Sequence, residues 1–265
     1  MSGTIEVQYA VYASPESLNR AAAERFVSQA EAAVASRGVA RIAISGGRTP
    51  KTTFALLADQ TQPFYGRMPW KQLQIFWVDE RCVPPDNDES NYKMTREAML
   101  EKVPLSAAQV FRMEGELDPQ EAAARYESVI RRQFGLAAGE VPRFDMLALG
   151  MGDDGHTASL FPHTDGLHEK SRLVIANHVP QKDTWRITLT LPVINQARDV
   201  FFLIEGAEKA AVLKKVLTGP RDVETLPSQL IRPASGKLLM MLDAAAAAQL
   251  PAPGPGGTGT IEVEA

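Results

Sequence analysis

Apolar residues along this chain fall into short runs separated by longer amphipathic stretches. The first run, Ile5–Ala13, reads as a strand. Ser14-Pro15 then supplies an N-cap and an N1 proline for an Ala-rich helix ending at Arg37, with Gly38 as its C-cap. Val39–Ser45 is a second strand, followed by a glycine turn and a helix through Leu57. Leu73–Val78 is a third strand, and Ser90 caps a helix through Leu100. Asp118-Pro119 opens a helix over Gln120–Phe134, with Glu121 in capping-box position. Phe144–Leu149 has the continuous apolar character of a buried strand, and Arg186–Leu191 alternates as a half-buried one does. Val200–Ile204, a helix over Ala207–Leu217 and a last strand at Leu238–Leu242 complete the pattern. Strand, helix, strand, repeated, predicts an α/β fold with a mainly parallel sheet covered on both faces. Ligands of such sheets sit at the carboxyl ends of the strands, so the chemistry is sought there.

The length of 265 residues fits one or two domains. No interior linker or solenoid repeat divides the chain, so residues 1–250 read as one domain. Pro251–Gly257 is rich in Pro and Gly, and residues 251–265 read as a flexible tail unless something docks them. No apolar run reaches the ~18 residues of a membrane span, and the N-terminus lacks the regions of a signal peptide. A cytoplasmic enzyme with no membrane partner is expected. Lys plus Arg number 28 against 32 Asp plus Glu, a net charge of −4 that argues against a nucleic-acid partner. A few well-placed arginines still suffice for an anionic small molecule. The single Cys82 excludes an internal disulfide and a four-cysteine metal site. Of the four histidines, His156 and His163 are separated by Pro162, and His168 and His178 read as loop or surface residues. That set makes a zinc site unlikely, and no metal is expected.

Four strand ends carry candidate chemistry. Ser45-Gly46-Gly47-Arg48-Thr49-Pro50 opens a helix, where glycine N–H groups, the helix N-terminus and a hydroxyl from Ser45 or Thr49 would cradle a phosphate. The same segment also reads as an ordinary glycine turn. It fits, too, a loosened nucleophile elbow at Ser45, with Asp79 or Asp145 and then His156 downstream. At the second end, Asp79-Glu80-Arg81-Cys82 follows an apolar strand directly. Asp79 would take sugar hydroxyls and Arg81 a phosphate, or the three charges form a solvated loop. Cys82 reads as packing rather than as a nucleophile. The third end, Gly150-Met151-Gly152-Asp153-Asp154-Gly155-His156, crowds three glycines, two aspartates and a histidine after the most apolar strand. Packing asks for no such set, whereas an aspartate that orients an imidazole makes a general base. The alternative has Asp153 or Asp154 capping a following helix. At the fourth end, Arg186 either closes a phosphate site or is a solvated strand-end arginine.

These blocks together carry a family resemblance. SGGRTP (45–50), WVDER (77–81) with ESNY (89–92), LGMGDDGHTASLFP (149–162) and WRITLTLPVIN (185–195) occur in order. Over about residues 5–245 the chain resembles the 6-phosphogluconolactonases, of the superfamily that includes glucosamine-6-phosphate deaminase. The resemblance implies a Rossmann-like three-layer α/β/α sandwich and hydrolysis of 6-phospho-D-glucono-1,5-lactone, the second step of the oxidative pentose phosphate pathway. It implies no cofactor, a small-molecule sugar-phosphate substrate, and a monomer or weak homo-oligomer. Carried over, His156 would be the general base. Gly46, Gly47, Arg81 and Arg186 would hold the phosphate. Asp79, Asn91 and Asp154 would contact sugar hydroxyls or orient the base. Ser45, Arg48 and Thr49 complete the expected binding set, with His156 and Asp154 as the catalytic pair. The deaminase pattern has a glutamate five residues after the histidine, where this chain has Phe161, so deaminase chemistry lacks a required acid. A sugar-phosphate deaminase or isomerase remains the alternative enzyme. A non-catalytic sugar-phosphate regulator is the alternative outside catalysis, disfavoured by the acidic charge and by the absence of a DNA-binding segment before the first strand.

Overall fold

The computed structural model describes residues 4–234, 237–254 and 256–264; residues 1–3, 235–236, 255 and 265 lie outside them. Strand β1 (Thr4–Tyr12) leads into helix α1 (Pro15–Arg37). The expected caps of α1 are present: Ser14 Oγ accepts from the Ser17 amide, and Gly38 ends the helix at φ +75°. Then come β2 (Ala40–Ile44), α2 (Arg48–Ala58), the short α3 (Pro63–Arg67), β3 (Leu73–Trp77) and β4 (Asp79–Arg81). Helix α4 (Asn91–Ala98) is capped by Ser90, β5 (Val110–Phe111) is brief, and α5 (Pro119–Phe134) is capped by Asp118. Next follow β6 (Met146–Leu149), β7 (Val174–Val179), β8 (Thr184–Leu189) and α6 (Leu191–Gln196). The chain ends through β9 (Asp199–Ile204), α7 (Ala210–Thr218), β10 (Lys237–Asp243) and β11 (Thr258–Glu264).

Eight strands form one sheet in the order β11-β1-β10-β9-β6-β2-β3-β5, parallel throughout except for β11 against β1. The apolar runs are continuous because successive residues serve two different cores. Ile42 and Ile44 of β2 face one core with Ile75, Trp77, Met146 and Ala148, beneath α1, α2 and α4. Ala43, Phe76, Leu147 and Leu149 face the other, with residues of α5 and α7. This double burial leaves no polar face for a strand to display. It is the α/β/α layering that the alternating pattern calls for, with a mainly parallel sheet.

Two features place the site. Strands β2 and β6 are neighbours, yet β2 continues to β3 on one side while β6 continues to β9 on the other. Their following loops therefore part, and a crevice opens at the carboxyl ends, where open α/β sheets bind ligands. A second, antiparallel sheet, β4-β8-β7, closes that crevice from the side. It begins where the chain leaves β3 at Val78, and it pairs Arg81 with Arg186 across β4 and β8.

One expectation changes, and one alternative reading falls. Residues 258–264 of the expected tail are docked: β11 pairs antiparallel with β1 from Thr4↔Glu264 to Ala10↔Thr258, burying Ile261 and Val263. The Pro/Gly segment makes the reversal. Gly257, at φ +76°, accepts at its carbonyl from the Val11 amide, and Tyr9 donates to the Pro251 carbonyl. No helix follows Asp154 either. Gly155, Ala158 and His163 all have positive φ, and turns replace the α ladder up to the short 3₁₀ segment at Asp165–His168.

Without β11, β1 would become a bare sheet edge. Removing residues 258–265 deletes the buried Ile261 and Val263, whose burial contributes about 1.5–3 kcal/mol each, and leaves β1 as an unpaired edge. A lowered urea midpoint and a tendency to aggregate are the expected outcomes. An unchanged midpoint would show that β11 adds nothing to stability.

Candidate active site

A cleft of about 300 Å³ opens at the carboxyl ends of β2, β3 and β6. One wall is Ser45, Gly46 and Gly47 after β2, and a second is Asp79, Arg81 and Asn91 after β3. A third is formed by Gly150, Gly152 and His156 after β6, and Arg186 of β8 closes the side. Eight of the eleven expected site residues thus meet in one cavity. Asp154 stands behind the wall, bonded to His156. Arg48 and Thr49 occupy the first turn of α2 and do not line the cleft; the Arg48 side chain is 80% exposed and reaches Glu208 at 3.5 Å.

The loop after β6 is built around the imidazole. Asp154 Oδ1 accepts from the His156 amide at 3.1 Å and meets His156 Nδ1 at 2.5 Å. Burial pushes the Asp154 carboxyl up, but the imidazole hydrogen bond and charge outweigh it and hold the carboxyl at about 2. An ionised carboxylate only accepts, so Nδ1 carries the proton, and in the neutral imidazole the lone pair is on Nε2. Gly152 is required beside this ring, because a Cβ there would lie 2.0 Å from His156 Nδ1. On the ring face, Phe161 stacks with centroids 4.0 Å apart and planes 21° apart.

The loops after β2 and β3 interlock. A Cβ at Gly46 would lie 1.7 Å from Asn91 Oδ1, so the glycine makes room for that side chain as well as for a ligand. Asn91 Nδ2 donates to the Asp79 carbonyl at 3.0 Å, and Asp79 Oδ2 accepts from Ser159 Oγ at 2.7 Å. Buried Glu80 does not line the cleft; it accepts from the amides of Arg81, Asn91 and Tyr92 and from Ser90 Oγ. It fastens β4 to the start of α4. Its carboxyl is pushed up by burial, against the pull of those amides.

Positive charge is concentrated in the same cleft. Among the described residues neither Arg81 nor Arg186 makes an ion pair. Arg81 donates to the Glu89 carbonyl at 2.6 Å, and Arg186 to Thr184 Oγ1 at 3.3 Å. Burial, and then the Arg81 guanidinium, push Arg186 below the ordinary arginine value. Two like charges on paired strands suit a dianion. Lys182 and Lys209 also line the cleft, and Lys209 is paired with Asp153. The sequence reading passed over both lysines, and over Ser159. Lys209 follows β9 and Lys182 lies in the β7–β8 turn, each far in sequence from the glycine-rich blocks.

The rival chemistries do not assemble. Ser45 Oγ is buried and has no hydrogen-bond partner among the described residues. Asp145 lies at the opposite end of β6, where it pairs with Arg37 at 2.7 Å. A Ser–His–Asp triad is therefore not formed. Burial pushes the Cys82 thiol up to about 11, which disarms it as a nucleophile. Among the described residues no three His, Cys, Asp or Glu side chains are grouped to hold a metal ion. His163 and His178 line a separate hollow of about 270 Å³ behind β7, and His168 meets Glu224 at 3.3 Å. No described helix is long and apolar enough to cross a membrane.

Residues 13–240 match the model of the family described as glucosamine-6-phosphate isomerases/6-phosphogluconolactonase. The chain belongs to this family. It is 40% identical over 215 residues to the 6-phosphogluconolactonase of Synechocystis sp., covering 81% of this chain and 86% of that one. The human 6-phosphogluconolactonase is 36% identical over 239 residues, covering 89% and 91%. The solved 6-phosphogluconolactonase of Trypanosoma cruzi superposes with a TM-score of 0.82 at 30% identity, covering 94% of this chain and 98% of that one. Membership also accounts for the Rossmann-like layering, which the Trypanosoma cruzi structure shares over nearly its whole length.

The Gly46–Asn91 interlock is testable. Gly46→Ala should cost about 1–3 kcal/mol by overpacking, and that cost should shrink in an Asn91→Ala background. Equal costs in the two backgrounds, by urea unfolding, would remove Asn91 as the occupant of the space over Gly46.

Proposed function

We propose that this cleft hydrolyses 6-phospho-D-glucono-1,5-lactone to 6-phospho-D-gluconate by direct attack of water, with His156 as general base. One observation carries the reading. An imidazole oriented by a carboxylate shares a cavity with two guanidiniums that make no ion pair among the described residues. The relatives named above support the substrate. In that reaction the chain serves the second step of the oxidative pentose phosphate pathway.

The substrate phosphate docks on Arg81, Arg186 and the Gly46–Gly47 amides at the start of α2. Asp79, with Oδ1 not used by Ser159, and Asn91 take sugar hydroxyls. Anchoring at the phosphate holds C1 near His156 and removes the entropy of finding it. His156 Nε2 takes a proton from water as the water oxygen bonds to C1. The charge moves to the carbonyl oxygen, and Asp154 stabilises the imidazolium. The tetrahedral intermediate collapses, the bond from C1 to the ring oxygen breaks, and the imidazolium returns its proton to that oxygen. Phe161 at the position of the deaminase acid leaves no group there to shuttle protons in ring-opening amine chemistry.

His156→Ala should lower kcat by about 10²–10⁴-fold while product binding stays near wild type. Arg81→Ala and Arg186→Ala should mainly raise KM. The assay generates the lactone in situ and follows its disappearance; near-normal turnover by His156→Ala removes the base assignment, and unchanged KM in both arginine variants removes the phosphate site.

The pH profile offers a separate check. The Asp154 carboxyl lies below its ordinary value, so it stays ionised through the mildly acidic range and only protonates near pH 2. Acid inactivation should therefore follow a single proton. A plot of log kcat/KM against pH should fall with unit slope on the acid side, and a slope of two would mean that Asp154 titrates with the base.

A further inference from the structure

The path of the chain from His156 to Phe161 is unusual. Phe161 follows His156 by five positions, a spacing at which helical side chains do not stack. Here the chain doubles back instead. Ala158 adopts φ +50°, a left-handed conformation that disfavours any residue with a Cβ. Thr157 and Leu160 form an isolated antiparallel bridge, with the Leu160 amide donating to the Thr157 carbonyl at 3.0 Å. Thr157 Oγ1 ties the turn to the Gly150 carbonyl at 2.8 Å. The turn lays the Phe161 ring on the imidazole of His156, and Phe161 is only 3% exposed. The Lys182 ammonium lies 5.0 Å from the centre of the same ring, linking it to the β7–β8 turn.

We propose that Phe161 is a positioning residue for the general base: its flat face sets the plane of the His156 imidazole and so aims Nε2 at the attacking water. The inference rests on the general-base reading above. A hydrogen bond from Nδ1 to Asp154 fixes one edge of the imidazole but leaves the ring free to rock about that bond. Contact with a flat aromatic face removes the rocking, and the Gly152 backbone bounds the Nδ1–Cε1 edge. Aromatic faces hold one another in preferred orientations through their quadrupoles, which an aliphatic side chain of similar volume does not do. Backbone strain stored at Ala158 is consistent with a local geometry maintained for use.

Three measurements test this. Phe161→Leu fills similar volume without a flat face. It should lower kcat by at least about tenfold, the scale of loss expected from misaimed reacting groups, with KM and product affinity near wild type. Phe161→Tyr restores the flat face and should recover most of the lost kcat. The carbon-bound imidazole protons of His156 should resonate upfield in the wild type through the ring current of Phe161. They should move downfield in Phe161→Leu. A folded Phe161→Leu with wild-type kcat overturns the proposal, as does a Phe161→Tyr that falls as far as the leucine variant. A wild-type imidazole with no upfield shift overturns it even if both variants misfold. Absence of lactone turnover by the wild type would instead sink the functional reading, with the proton shifts still reporting on the stack.

Discussion

A single carboxylate holds together the half of the cleft that carries Arg81 and Asn91. Glu80 is 2% exposed, and its two oxygens accept from three backbone amides and a serine hydroxyl. Burying that charge is costly on its own. The donors that compensate it belong to two elements, β4 and the first turn of α4, so neither can move without stranding the charge. Arg81 is the next residue along β4, and Asn91 opens α4. Asn91 in turn occupies the space left by Gly46, which ties the loop after β2 into the same assembly. The geometry of three loops thus depends on one residue that does not line the cleft.

The parallel sheet supplies the other half. Strands β2 and β6 end side by side, joined by a bond from the Ser45 amide to the Ala148 carbonyl at 3.1 Å. Beyond that bond the chains diverge. The strands are buried on both faces, so their ends cannot shift register without exposing one of two cores. A glycine-rich loop on such a base can fold tightly around one imidazole. Rigid strands thereby give the short segment Gly150–His156 the precision that its own composition would not.

Much of this was legible in the residues. The apolar runs marked β2, β3, β6 and β9, and Ser14, Ser90 and Asp118 marked helix starts that the structure keeps. The crowding of Gly, Asp and His after β6 marked the loop that brings Asp154 against His156 at the cleft. Other parts were hidden for physical reasons. β4 is three charged residues, Asp79-Glu80-Arg81, and becomes a strand only because β8 pairs with it. β11 alternates well, as Thr260-Ile261-Glu262-Val263, but it follows a Pro/Gly stretch that reads as disorder until β1 is there to receive it. Lys182, Lys209, Ser159 and the stacking of Phe161 on His156 arise from tertiary contacts that no local period encodes. Arg48 and Thr49 adjoin Gly47 in sequence but do not line the cleft, because α2 turns their side chains away from it.

The pairing of Arg81 with Arg186 also bears on selectivity. Repulsion between two fixed guanidiniums is relieved by a ligand that brings two negative charges, and by little else. A sugar lactone without a phosphate would occupy the same walls and meet the same base, yet would leave that repulsion in place. Discrimination between the phosphorylated and the free lactone would then come less from attraction gained than from discomfort left unrelieved. In the proposed reaction the cleft would carry this bias before any bond to C1 is made.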